Sequence, residues 1–185
     1  MLSGFPGGNF ITDTMRRMQA VFDSTLVKVG ALPTIVTSAN STLKDAFDKW
    51  GNCTKLFGGS KKVDAAVDQM TFFDGRGSGW LNLAGGTNSE SFAQFHSENP
   101  SVAAAVLANS AGGASNLLVL FSDYFAENQL NQDTILVHDF FRSYFDFDAQ
   151  DHSDIIKKFK IQVQPGQSNS DAIDDWIKND CENKK

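Results

Sequence analysis

Three side chains in the C-terminal half of the chain could do chemistry together: His138, Asp139 and Arg142, within the stretch LNQDTILVHDFFRSYFDF from Leu130 to Phe147. An imidazole ligates metals and moves protons near neutral pH, and a carboxylate beside it serves as a base. A guanidinium does neither. It has only donors and stays protonated, so it attracts anions and repels metal cations. His138 and Arg142 are four residues apart, which on a helix places them on one face, a turn apart. Asp151, His152 and Asp154 follow in an acidic segment just downstream.

The element that must position them reads as a buried helix. Its apolar residues Leu130, Ile135, Leu136, Val137, Phe140, Phe141, Tyr144 and Phe145 cover nearly the whole circumference, so it belongs inside the domain. The frame H-D-F-F-R is that of the H-E-x-x-H zinc helix with two of its three functional positions changed. The intact motif holds Zn²⁺ through two neutral imidazoles one turn apart plus a third ligand from further along. Its Glu takes a proton from the metal-bound water. Here His138 remains able to ligate. Asp139 is one methylene shorter than Glu, and a reach error of roughly 1 Å costs on the order of 100-fold in rate. Arg142 stands where an electron-pair donor is required. The residues therefore describe a zinc-helix scaffold that has lost zinc hydrolysis. The plainer reading is a core histidine bonded to backbone, with Arg142 paired to Asp146 or Asp139 at a solvated edge.

The chain has 185 residues, enough for one domain with a sizeable core. Its 16 Phe residues predict a core rich in rings. A net charge of −6 without a basic cluster argues against nucleic acid or an anionic membrane as partner. No stretch approaches the eighteen or so apolar residues of a membrane span. The start, MLSGFPGGNF, lacks the charged and apolar regions of a signal peptide and looks more like a linker, as in a piece of a larger polypeptide. Two cysteines, Cys53 and Cys181, form no C-x-x-C. They are either two buried thiols or one long-range disulfide tying the tail to the body. Asn40-Ser41-Thr42 and Asn52-Cys53-Thr54 are sequons, which matter only in a glycosylating compartment.

Along the chain, residues 1–8 are expected to be loose. A helix is expected from Asn9 or Thr12 to Val29, with Gly30 as its cap and Leu32–Ser38 as a connector. Ser41 is expected to cap a second helix, with Leu43, Phe47 and Trp50 on one face and Gly51 stopping it. Lys55–Gly59 reads as a turn, and Ser60 as the cap of a third helix with Val63, Val67 and Met70 inward. Asp74-Gly75 between apolar runs predicts a hairpin. The Gly-rich GRGSG lacks the G-K-[ST] ending of a phosphate loop. Ser91–His96 is expected as a strand with His96 facing solvent, residues 101–110 as a short helix or strand, and Asn116–Phe121 as the clearest strand. A polar turn at 123–125 precedes the motif helix. Ile155–Phe159 reads as a short helix. Ser168 and Asp171 read as a capping box opening a last helix, with Ile173, Trp176 and Ile177 inward, that ends at Cys181.

Four segments, N-C-T-K-L-F-G at 52–58, NLLVLF with T-I-L-V-H-D-F-F-R at 134–142, D-H-S-D-I-I-K-K-F-K-I at 151–161 and S-N-S-D-A-I-D-D-W-I at 168–177, follow one another in a recognisable order. In this order the chain, from Leu43 to Cys181, resembles the zincin-like metallopeptidase domains that end large bacterial RHS-repeat and related surface proteins. The resemblance implies an α+β fold: a single zincin-like domain over 9–185, with a helical N-terminal part, a small central sheet or hairpin, a buried motif helix and C-terminal helices. It implies a secreted or cell-surface setting. It puts His138 at the first ligand position, Asp139 at the catalytic Glu and Arg142 at the second ligand, with Asp151, His152 or Asp154 as the third. The expectation is a catalytically degenerate domain that binds a protein or peptide partner or serves structurally, without a cofactor. Two alternatives stand beside it. One is a divergent zinc hydrolase using His138, Asp139 and His152, its metal site remodelled. The other is a small secreted interaction or toxin-like module whose surface is the Gly-rich hairpin and exposed Phe residues.

Overall fold

The structure, a computed structural model, describes residues 34–82, 89–108, 114–145, 147 and 152–182. The loose segment expected at 1–8, the helix expected between Asn9 and Val29, and Asp151 lie outside the described residues. Within them, eight helices and five strands form an α+β fold.

Helix α1 (Ser38–Lys49) buries Ala39, Leu43, Ala46 and Phe47, the three- and four-residue spacing of a one-sided helix. Ser41 is not its cap. The helix begins a turn earlier, and the Ser41 hydroxyl donates back to the Ser38 carbonyl at 2.8 Å. The chain just before it is tied down, because the Val36 N–H donates to the Phe72 carbonyl at 2.8 Å and Ile35 bridges to Phe73. Gly51 stops nothing. The break falls at Trp50, and Gly51 opens α2 (Gly51–Leu56), so only Lys55 and Leu56 of the expected Lys55–Gly59 turn are helical and Phe57–Gly59 make the turn. Phe57 leaves α2 and enters the core. Its ring lies 4.7–5.3 Å from those of Phe47, Phe140, Phe141, Tyr144 and Phe145. Gly58 and Gly59, both at positive φ, then turn the chain into α3 (Ser60–Val67), with Val63 and Val67 inward as expected.

The main sheet runs β1 (Thr71–Asp74), β5 (Ala114–Leu120), β4 (Ala104–Ala108), with β5 in the centre. β1 pairs with β5 in parallel and β4 with β5 antiparallel. The hairpin expected at Asp74-Gly75 does not form. Asp74 instead accepts from the Arg76 backbone N–H and from its guanidinium at 2.8–3.0 Å, which turns the chain out of the sheet. β2 (Trp80–Asn82) then pairs with β3 (Ser89–Ser91) in a separate two-stranded sheet. Packing explains Gly75 and Gly79 in this segment. A Cβ at Gly75 would lie 2.6 Å from the Phe121 ring, and one at Gly79 2.1 Å from Phe92.

The strand expected at Ser91–His96 is a helix, α4 (Phe92–Glu98), because the Ser91 hydroxyl caps it by accepting from the Gln94 N–H at 3.1 Å. α4 brings Phe92 onto Phe73, Val119 and Phe121, while Phe72, Leu118 and Leu120 point into the main core on the opposite face. β5 is therefore buried on both sides, which is why its sequence is a continuous apolar run rather than an alternation. The turn expected at 123–125 is the short helix α5 (Ser122–Ala126).

The motif helix α6 (Gln129–Tyr144) is capped by Asn128, whose side chain accepts from the Asn131 N–H at 3.1 Å. It packs on β4 and β5, on α1 and on the last helix. After it come α7 (Ser153–Phe159) and α8 (Asn169–Lys178). Ser168 caps α8 as expected, accepting from the Asp171 N–H at 3.1 Å and donating to its carboxylate at 2.7 Å. Ser168→Ala should cost about 1 kcal/mol in chemical denaturation, and no measurable loss would show that this end is held by packing alone. α8 ends at Lys178, short of Cys181, because Asp180 and Cys181 take left-handed backbone conformations. That bend delivers Cys181 to Cys53, and the two form a disulfide. Beside it Asp180 accepts from the backbone N–H and side-chain amide of Asn52, both at 2.9 Å, and Glu182 from the same amide at 2.8 Å. Among the described residues no helix is long and apolar enough to cross a membrane.

Candidate functional site

α6 is apolar on most sides, yet His138, Asp139 and Arg142 are all buried on it. A buried polar group needs a partner, and here the partners come from the same helix and from α8. His138 Nδ1 lies 2.6 Å from Asp174 Oδ1. The expected backbone partner is thus replaced by a carboxylate 36 residues away. The carboxylate requires a donor, so Nδ1 carries the proton and Nε2 presents its lone pair in the neutral ring. That Nε2 is buried and has no hydrogen-bond partner among the described residues. The ring of His152, just ahead of α7, stands edge-on to His138 with centroids 4.9 Å apart.

Asp139 and Arg142 face each other one turn apart, Oδ1 to Nη1 at 3.7 Å, each side chain less than a tenth exposed. The solvated-edge pair expected from the sequence is therefore a buried one. Burial pushes the Asp139 carboxyl above its ordinary value of 3.8. Arg142 and His138 pull it back, and the nearby Asp174 charge adds to the rise.

Of the sequence-derived site residues, His138 and His152 are brought together, and Asp139 and Arg142 are paired. Asp154 is not among them: it is half exposed and pairs with Lys157 at 3.8 Å. Asp151 lies outside the described residues. Among the described residues no three His, Cys, Asp or Glu side chains converge as metal ligands do. His96 does not face solvent freely. Its ring stacks on Phe121 at 5.0 Å with an interplanar angle of 5°, and its Nε2 is buried. The exposed large apolar residues are Leu56, Leu130, Tyr144 and Val163, with no Phe among the described residues in that class.

Asp174 is the candidate-site residue that sequence reasoning missed. It follows Ile173 within the buried stripe of α8, and a carboxylate set between buried positions was the available signal. A carboxylate holding the far nitrogen of a histidine is the arrangement that orients a ligand or a general base. Zinc in the motif's own geometry does not fit, however, because the position of its second imidazole holds a cation.

No family model, curated protein or solved structure matches this chain.

Proposed function

We propose that this is a zincin-like domain in which a buried ion pair has replaced the peptidase machinery, and that it serves as a binding or structural module rather than a hydrolase. The observation that carries the reading is the Asp139–Arg142 pair. The residue at the catalytic carboxylate position is buried against a guanidinium that occupies the second ligand position. The carboxylate is thereby committed to a cation that cannot leave by deprotonation. The Cys53–Cys181 disulfide supports an oxidising setting such as a cell surface or the exterior, and a protein or peptide is the partner class that the resemblance favours.

The test is metal content. Chain purified free of metal and refed zinc should hold far less than one zinc per chain by elemental analysis, and stoichiometric zinc lost in His138→Ala would overturn the proposal. Asp139→Glu with Arg142→His should gain zinc binding. If the folded double variant stays metal-free, the zincin-like reading fails or its third ligand is gone.

A second reading, a remodelled metal centre, draws on one observation: the lone pair of His138 Nε2 is unused, its Nδ1 is anchored by Asp174, and His152 is adjacent. It predicts chelator-sensitive cleavage of a peptide substrate that His138→Ala abolishes.

A further inference from the structure

Past Arg142, the end of α6 and the end of α7 meet at a group of phenylalanine rings. Phe145 is the C-cap of α6, and the chain stays close behind it, because the Phe147 N–H donates to the Arg142 carbonyl at 3.0 Å. Phe159 closes α7, and Lys160, in the left-handed region, turns the chain away. The Phe145 ring lies 5.6 Å from that of Phe147 and 5.5 Å from that of Phe159. All three rings pack against the core and are only partly buried.

An ammonium lies over these rings. Lys158 Nζ is 4.6 Å from the centre of the Phe145 ring and 6.0 Å from that of Phe159. The face of an aromatic ring is negative, and it attracts a cation out to about 6 Å. Lys157, next to it on α7, goes elsewhere: it donates to Ser153 Oγ at 3.1 Å and stands 3.8 Å from Asp154. The rings are fixed by their neighbours. Phe159 stacks on Trp176 and meets Phe141 edge-on, both at 5.2 Å, and Phe145 stacks on Phe57 at 5.3 Å. Lys158 is an exposed side chain on a long flexible stem. The rings are thus the built part of the arrangement, and the ammonium is the part that can move.

Rings gathered under an alkylammonium make a cation site, here filled by a residue of the chain itself. A cation–π contact at an exposed position is weak, so this occupant is exchangeable. Charge favours a cationic visitor. The chain carries a net −6, and Asp146 and Asp148 flank Phe147 in the sequence. We propose that Phe145, Phe147 and Phe159 form a docking site for a lysine side chain of a basic peptide segment in a partner protein, and that Lys158 holds the site until such a side chain displaces it. This gives the binding-module reading the chemistry of its partner, and it rests on that reading. The two fail separately, because zinc content reports on His138 and Arg142 whereas the Lys158 signal reports on the rings.

The experiment is an NMR titration of the ¹³C-labelled full chain with the peptide acetyl-Gly-Lys-Gly-Lys-Gly-amide. Matched peptides with norleucine or glutamate in place of lysine are separate arms. The ε-methylene signal of Lys158, assigned by its loss in Lys158→Arg, lies upfield because of the rings beside it. Lys49, whose Nζ is 5.0 Å from the centre of the Trp50 ring, is the internal control. The lysine peptide should move the Lys158 signal saturably towards that of free lysine and leave Lys49 in place, and the other two peptides should not. Affinity is read from the phenylalanine ring signals in every variant. Lys158→Ala removes the competitor and should tighten binding of the lysine peptide about two- to fivefold. Phe147→Leu keeps an apolar side chain but removes a ring outside the helices, and should weaken binding severalfold while the remaining spectrum stays folded. The proposal is overturned if the lysine peptide leaves the Lys158 signal in place, if the norleucine or glutamate peptide moves it as far, if Lys158→Ala binds no more tightly, or if folded Phe147→Leu binds as well as the native chain.

Discussion

Replacing Arg142 by Met should destabilise the protein by roughly 3–5 kcal/mol, read as a fall in the urea midpoint at unchanged slope. Met keeps much of the length of Arg, so lost charge rather than lost packing dominates. At 3.7 Å the pair is within reach of charge attraction but beyond hydrogen-bond length. The carboxyl of Asp139 is already held above its ordinary value by burial, with Arg142 the larger of the two groups pulling it down. Without the guanidinium it must remain charged in a poor medium or take up a proton. Adding Asp139→Leu should recover most of the loss, because an apolar pair carries no desolvation cost. A single-variant loss below about 1 kcal/mol, the level of an ordinary surface ion pair, would sink the idea that the pair is structural. The pH dependence has a definite sign. A buried acid whose folded pKa is raised binds its proton more tightly in the folded state than in the unfolded one. Its contribution to stability is therefore fully present below 3.8 and lost as pH climbs from there through the raised folded value. Arg142→Met should extend that window upward.

Removal of the disulfide as Cys53→Ala with Cys181→Ala should lower stability by roughly 2–5 kcal/mol, seen as a drop in the thermal midpoint. The two cysteines are 128 residues apart. A cross-link closing about 100 residues takes roughly 4.7 kcal/mol of chain entropy from the unfolded state. Alanine is the better replacement, because Cys53 is fully buried and a serine hydroxyl there would add an unmet polar group. Two opposing effects reduce the loss. Asn52 still clasps Asp180 when the sulfurs are gone, and the left-handed backbone of Asp180 and Cys181 is free to relax. A loss under about 0.5 kcal/mol, the scale of a neutral surface change, would mean that the clasp alone fastens the tail.

The α+β class and the motif helix were legible because their signals are one-dimensional. α6 carries apolar residues around its circumference, and β5 is a run of β-formers, so burial follows from the string itself. Ser168 and Asp171 also announced the start of α8. What failed depended on partners. Asp74-Gly75 has hairpin chemistry, yet Asp74 turns onto Arg76 and β1 finds β5 across the intervening chain. Ser91–Phe95 carries strand-like residues, yet one serine at an N-cap position and a phenylalanine needed against Phe121 make it a helix. The sequence put His138 in the core but the Asp139–Arg142 pair at a solvated edge, and it did not anticipate Asp174 beside His138. Periodicity says which face of one helix is apolar and nothing about which carboxylate of another helix will meet it.

The hold on Asn52 bears on how the chain can be made. The nitrogen that an oligosaccharide would occupy in Asn52-Cys53-Thr54 is the same nitrogen that Asp180 and Glu182 grip. The Thr54 hydroxyl that completes the triplet is spent on the carbonyls of Phe47 and Trp50. Folding and N-glycosylation thus compete for one atom. A sugar attached before the tail docks would take its seat and keep the two half-cystines apart, so a host that decorates the triplet during export works against the fold it is asked to produce.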